Sequence, residues 1–344
     1  MQENKITVGF IGNGKSVNRY HIPYILARPE KFIIKTIFDK NLAHSPWIKI
    51  NGVHYTECLD DLLQDSELDV IIVNTPLCAH YECAAKVLSA GKNCVVEKPF
   101  TYTEKEARTL FDLAESKGVL LQAYQNRRFD SDFLTTLKVI ESGKLGEIFE
   151  FISCYDYYRP EMPENIQHYS ADTSFLYGHC HALDQVLSYF GRPDAYHYDM
   201  RQLTGKGRMN DYFDLDLTYQ NLKVSVKSSF FMVKPRPSFA VYGKKGMFVK
   251  MTEDRQEEDL KHFYMPVNQD FGIDRIKEYG TLAYYDDDHV YHEEKVISER
   301  GDYGRYYDSL YETLVQGKPQ LVKPEETLLL MHVLEEATRS LTLE

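Results

Sequence analysis

Over the first 124 residues, short unbroken apolar runs alternate with stretches whose apolar positions recur at helical spacing. KITVGFI (5–11) ends in Gly12-Asn13-Gly14, and a helical pattern starts near Val17, which gives the order strand, glycine turn, helix. The series continues with FIIKTIFD (32–39), a short strand near 53–55, an acidic helix CLDDLLQD and the strand DVIIVNT. A helix from about 78 to 89 stops at Gly91, and NCVVE (93–97) follows. Thr103 and Glu106 form a capping box for the next helix, which ends at Gly118 and leads into VLLQAY (119–124). Strands that are apolar throughout predict a sheet covered on both faces, an α/β Rossmann domain with a doubly wound parallel sheet over 1–124. Such sheets bind ligands beyond the carboxyl ends of their strands.

From residue 125 the period changes. An amphipathic helix carrying Phe133, Leu134, Leu137 and Ile140 ends at Gly143, after which EIFEFISCYDYY, AYHYDMRQL, YFDLDLTYQ, LKVSVKSSFFM, SFAVYG and GMFVKM read as strands. Alternation such as F-D-L-D-L marks antiparallel strands with one buried and one wetter face. Two closing helices, near 303–316 and from Pro324, are expected to pack back on the first domain. The second domain, 125–344, is thus an α+β unit with a mostly antiparallel open sheet.

Forty Lys+Arg against fifty-two Asp+Glu leave a net charge of −12, which argues against nucleic acid as a partner. The longest apolar stretch (70–81) is broken by Asn74-Thr75-Pro76 and falls short of a membrane span, and the N-terminus carries no signal-peptide pattern, so a cytoplasmic location is expected. Six cysteines form no C-x-x-C pair. Leu343-Glu344 is set aside as a candidate vector-derived tail. Ten tyrosines between 155 and 219 fit either aromatic packing or a polar cleft for a hydroxylated ligand.

The chemistry concentrates at strand ends. Gly12, Asn13 and Gly14 provide a turn through which a pyrophosphate reaches backbone N–H groups, although Val17 holds the third glycine position of G-x-G-x-x-G. Asp39, 25 residues after Gly14, fits the carboxylate that grips a ribose, and it favours NAD while leaving NADP possible. Asn74-Thr75-Pro76 and Glu97-Lys98-Pro99 follow the fourth and fifth strands and so face the cleft. Lys98 there is suited to hydrogen-bond a substrate oxygen, and the turn it makes is expected to hold a cis Lys98-Pro99 bond. In FLYGHCHALDQ, His179 and His181 open a helix that carries Asp184 one turn beyond His181, an arrangement for general-base work. No cysteine or carboxylate set completes a metal site around them, and no metal is expected.

VGFIGNG with His21-Ile22-Pro23, NTP with His80, GKNCVVEKP, QNRRFD and HALDQ together resemble the glucose-fructose oxidoreductase and inositol dehydrogenase family (Gfo/Idh/MocA), in order along most of the chain. The resemblance implies an N-terminal NAD(P)-binding domain and a C-terminal sheet that holds substrate and joins subunits as a homodimer or homotetramer. It implies Lys98 as catalytic lysine, His181 as catalytic histidine and Asp184 as its acidic partner. His80, Glu97 and Asn126 then join the cofactor residues, while Arg127, Tyr155 and Tyr177 join Lys98 and His181 around a polyol or sugar. Tyr177 stands where many members have an aspartate, four residues before the histidine. The reaction implied is hydride transfer between nicotinamide and a secondary alcohol or ketone of a sugar or cyclitol. A sensor that binds dinucleotide and sugar without turnover, and a reductase of another substrate on the same fold, are the alternatives.

Overall fold

The computed structural model describes residues 5–166 and 168–342, so Leu343 and Glu344 lie outside the described residues. The chain divides into two compact units. The first runs to Asn126 and takes in Leu260–Gln269 and Tyr303–His332; the second comprises Arg127–Asp259, Asp270–Asp302 and the residues from Val333.

In the first unit the apolar runs become β1 (Ile6–Ile11), β2 (Phe32–Phe38), β3 (His54–Thr56), β4 (Val70–Val73), β5 (Asn93–Val96) and β6 (Leu121–Ala123). Among the described residues they form a six-stranded, wholly parallel sheet in the order β3-β2-β1-β4-β5-β6. Val8, Phe10, Ile71 and Val95 have no exposed surface, as strands covered on both faces require. The order reverses between β1 and β4, which opens the crevice at their carboxyl ends.

Local chemistry sets the helix limits. Thr103 Oγ1 accepts from the Glu106 N–H at 3.1 Å, and Gly118 ends the Glu104–Lys117 helix in the left-handed region at φ 65°. Glu106 reaches back to the N–H of Tyr102 rather than Thr103, so one half of the expected capping box is present. The acidic helix shrinks to Asp60–Leu63 because Asp65 accepts from the Glu67 N–H and turns the chain. After the glycine turn the chain makes a π-helical turn, Val17–His21, before Ile22–Leu26.

The second unit holds β7 (Ile148–Cys154), β8 (Ala195–Arg201), β9 (Tyr212–Tyr219), β10 (Leu222–Ser229), β11 (Phe239–Gly243), β12 (Gly246–Lys250), β13 (Gly280–Tyr285) and β14 (Tyr291–Val296). Among the described residues these make an eight-stranded sheet ordered β14-β13-β12-β11-β7-β10-β9-β8, antiparallel except where β7 meets β10. Helix Ser131–Glu141 packs on β11 and β12, and helix Cys180–Phe190 packs on β10, with Phe133 against Phe239 and Phe151 against Phe190. The β13–β14 hairpin has no counterpart in the sequence reading. Its outer strand, YHEEKV, is an edge whose charges replace the apolar alternation. No described helix is long and apolar enough to cross a membrane.

Candidate active site

The glycine turn is shaped by the sheet itself. Gly12 has φ +114°, and a Cβ there would meet the Asn74 carbonyl oxygen at 2.5 Å, so close approach of β1 to the end of β4 requires glycine. Its N–H donates to the Phe38 carbonyl at 2.9 Å, which ties the turn to β2. A Cβ on Gly14 would meet nothing within 4 Å, so that backbone is uncovered. Asn13 is buried, its Nδ2 donating to Ser45 Oγ at 2.9 Å. Asp39 follows β2 directly, and its Oδ1 accepts from the Asn41 N–H at 3.1 Å.

At the ends of β4 and β5 the first unit gathers a buried polar network. His21, without exposed surface, places Nε2 3.0 Å from Glu97 Oε1 and 2.8 Å from Asn74 Nδ2, and Nδ1 2.6 Å from the Tyr307 hydroxyl. The carboxylate fixes a proton on Nε2, and the Tyr307 O–H donates into Nδ1. With that proton in place, the Asn74 carboxamide fits best with its oxygen toward the ring, and the remaining polar atom of the amide is buried with no partner. Tyr124 stacks on the imidazole at 3.9 Å. Glu97 also accepts from the Ser16 hydroxyl and, through Oε2, from the Lys98 N–H at 2.9 Å. Burial alone would push this carboxyl up; the hydrogen bonds from His21 and the Ser16 hydroxyl, with the nearby Lys98 charge, hold it below the usual carboxylate range.

Lys98 is half-buried and joined to Pro99 through a cis bond, as expected from the sequence. His80 is buried, its ring nitrogens 2.8 Å from the Thr75 carbonyl and 2.9 Å from that of Pro99, so it braces the two loops that follow β4 and β5. Pro76 is exposed, Thr75 half-buried, and Asn126 buried at the end of the first segment. An uncovered turn after β1, a carboxylate at the end of β2 and a partnerless buried amide atom at the end of β4 together fit a dinucleotide laid across the strand ends.

In the second unit, helix Cys180–Phe190 carries half-buried His181 and buried Asp184. Both Asp184 oxygens accept from Arg128, at 2.8 Å each. The His179 Nδ1–H donates to the Phe175 carbonyl at 2.9 Å, with Tyr157 5.1 Å and Tyr155 5.8 Å from its ring. Tyr177 is 3 % exposed, and burial pushes its hydroxyl up, as fits a packed side chain. The Arg127 guanidinium lies 5.2 Å over the Tyr155 ring and is balanced by Asp130 and Glu257. Burial, with Asp130 and Glu257 adding like charge and Arg127 opposing, raises Glu253 to about 7. Sequence reasoning missed Glu253 and Tyr307, which reach their clusters across long separations and carry no motif. Among the described residues no group of three or more His, Cys, Asp or Glu is gathered to hold a metal.

The pattern of an oxidoreductase family with an NAD-binding Rossmann fold matches residues 6–125, and that of its C-terminal alpha/beta domain matches residues 138–342. The chain is 44% identical to the Escherichia coli uncharacterized oxidoreductase YhhX over 96% of its length and 95% of that protein's. It is 31% identical to the Bacillus subtilis scyllo-inositol 2-dehydrogenase (NADP(+)) IolW over 97% of this chain and 93% of that one. The crystal structure of the probable oxidoreductase yhhX superposes with a TM-score of 0.92 at 42% identity, covering 97% of this chain and 96% of the other. With both domains matched, near end to end, the chain belongs to the Gfo/Idh/MocA oxidoreductase family.

Proposed function

We propose that this oxidoreductase moves hydride between NAD(P) and a secondary alcohol or ketone of a sugar or cyclitol. The observation that carries the reading is the Glu97-Lys98-Pro99 loop at the carboxyl end of β5, with Lys98 partly buried beside a dinucleotide-binding turn. The bound nicotinamide would supply the acceptor or donor of hydride. Lys98 polarises the substrate oxygen, His181 takes the hydroxyl proton as the C–H hydride departs, and Asp184 positions the helix of His181 through Arg128. Gly12, Asn13, Gly14 and Asp39 would hold the dinucleotide, with Asn74 and Thr75 at its nicotinamide end.

Arg127 is balanced by Asp130 and Glu257 and Arg128 by Asp184, so neither of these two guanidiniums has charge left over for a phosphate or carboxylate. That favours an uncharged polyol over a nucleotide sugar or a tetrapyrrole. Tyr155, whose buried hydroxyl is pushed well up and stays protonated, offers a hydrogen-bond donor. Similarity to a scyllo-inositol dehydrogenase supports the same class. Self-association through the open sheet is part of this reading, and light scattering checks it. The function itself is tested by titrating the protein with NAD and NADP and screening inositols and sugars for absorbance at the reduced-nicotinamide band. Tight dinucleotide binding with no oxidised alcohol and no reduced ketone would favour the sensor.

A further inference from the structure

We propose that Glu97 is a fixed counter-charge that makes the protein bind the oxidised dinucleotide in preference to the reduced one. The inference rests on the function reading, which lays the nicotinamide across the ends of β4 and β5.

Three separate segments converge on this carboxylate: Ser16 from just beyond the glycine turn, His21 from the turn after it, and the Lys98 amide from the loop after β5. It is 8 % exposed, and it stands beside the crevice where the strand order reverses. So elaborate a set of donors holds a carboxylate ionised where burial alone would neutralise it. Position gives it a use. Lys98 already brings one cation to this end of β5, and an oxidised nicotinamide ring is a second, whereas the reduced ring is uncharged. Two cations close together repel, and a fixed anion near them lowers the cost of binding the oxidised ring only. The Tyr307 hydroxyl, donating to His21 Nδ1, leaves Nε2–H for Glu97, so the histidine orients the carboxylate without cancelling its charge.

Glu97→Gln keeps the shape and removes the charge. Dissociation constants of NAD⁺ and NADH, measured by calorimetry without any substrate, give the readout. The ratio Kd(NADH)/Kd(NAD⁺) is expected to fall about tenfold in the variant, the scale of one nearby charge at a partly buried site, while Glu97→Asp keeps most of it. A folded Glu97→Gln protein whose ratio stays within about twofold of the unmodified value overturns the proposal. Should Glu97→Gln fail to fold, the unmodified protein decides: it must bind NAD⁺ more tightly than NADH, and the reverse preference overturns the inference. Binding of neither form would overturn the function reading together with this one, whereas binding with an unmoved ratio overturns this one alone.

Discussion

Arg128 and Asp184 form a two-pronged ion pair, Nε to Oδ2 and Nη2 to Oδ1, each at 2.8 Å, with side chains 9 % and 3 % exposed. Asp184 therefore acts on its helix through Arg128 rather than as a loose carboxylate. Removing either partner leaves a buried charge without its mate. Asp184→Ala and Arg128→Ala are each expected to lose about 3–5 kcal/mol of stability, read from urea unfolding, and Asp184→Asn is expected to lose less.

Asp39 follows β2 with one oxygen accepting from the Asn41 N–H. Its negative charge repels a 2′-phosphate, so NAD is expected to bind more tightly than NADP. Asp39→Ser should narrow that gap about tenfold or more, as measured by fluorescence titration of both dinucleotides. Equal affinities in the unmodified protein would remove the argument.

Asp132 and Asp254 lie buried in the second unit, and burial, then mutual repulsion, raises Asp132 far above the usual carboxylate range. An acid raised on folding binds more protons in the folded chain, so its contribution weakens stability as pH rises through that range toward neutrality and is neutral below the unfolded value. Asp132→Asn is expected to raise the melting temperature at pH 7, with a gain of about 1 kcal/mol, and to change little near pH 3. A gain at pH 3 equal to that at pH 7 would show that charge is not the cause.

Tyr177, four residues before His181, is 3 % exposed, and burial pushes its hydroxyl up. Tyr177→Phe is expected to cost about 1 kcal/mol of stability and to leave kcat within about twofold of the unmodified enzyme. A fall of about 10²-fold with the fold intact would make this hydroxyl part of the proton path.

Local features were legible in the sequence where local physics decides them. Thr103 and Gly118 bounded their helix, Gly12 marked its turn, and the apolar runs gave each strand of the parallel sheet. The charged edge strand β14 escaped because edge positions carry no burial pattern. The network around Glu97 escaped for another reason. His21 is 76 residues from Glu97 and 286 from Tyr307, and no spacing rule reaches that far. Arg128 with Asp184, 56 residues apart, is the same case, since periodicity placed Asp184 on the face of His181 without revealing what holds it.

The most direct test of the account is the turnover of His181→Ala with an active polyol, alongside its dinucleotide affinity. Loss of the base predicts a fall in kcat of about 10²–10⁴-fold with Kd for NAD nearly unchanged, and Lys98→Ala added to it should lower kcat by less than the two single losses combined, since both act on one oxygen. Near-normal turnover in His181→Ala would contradict the assignment and leave Lys98 as the proton carrier.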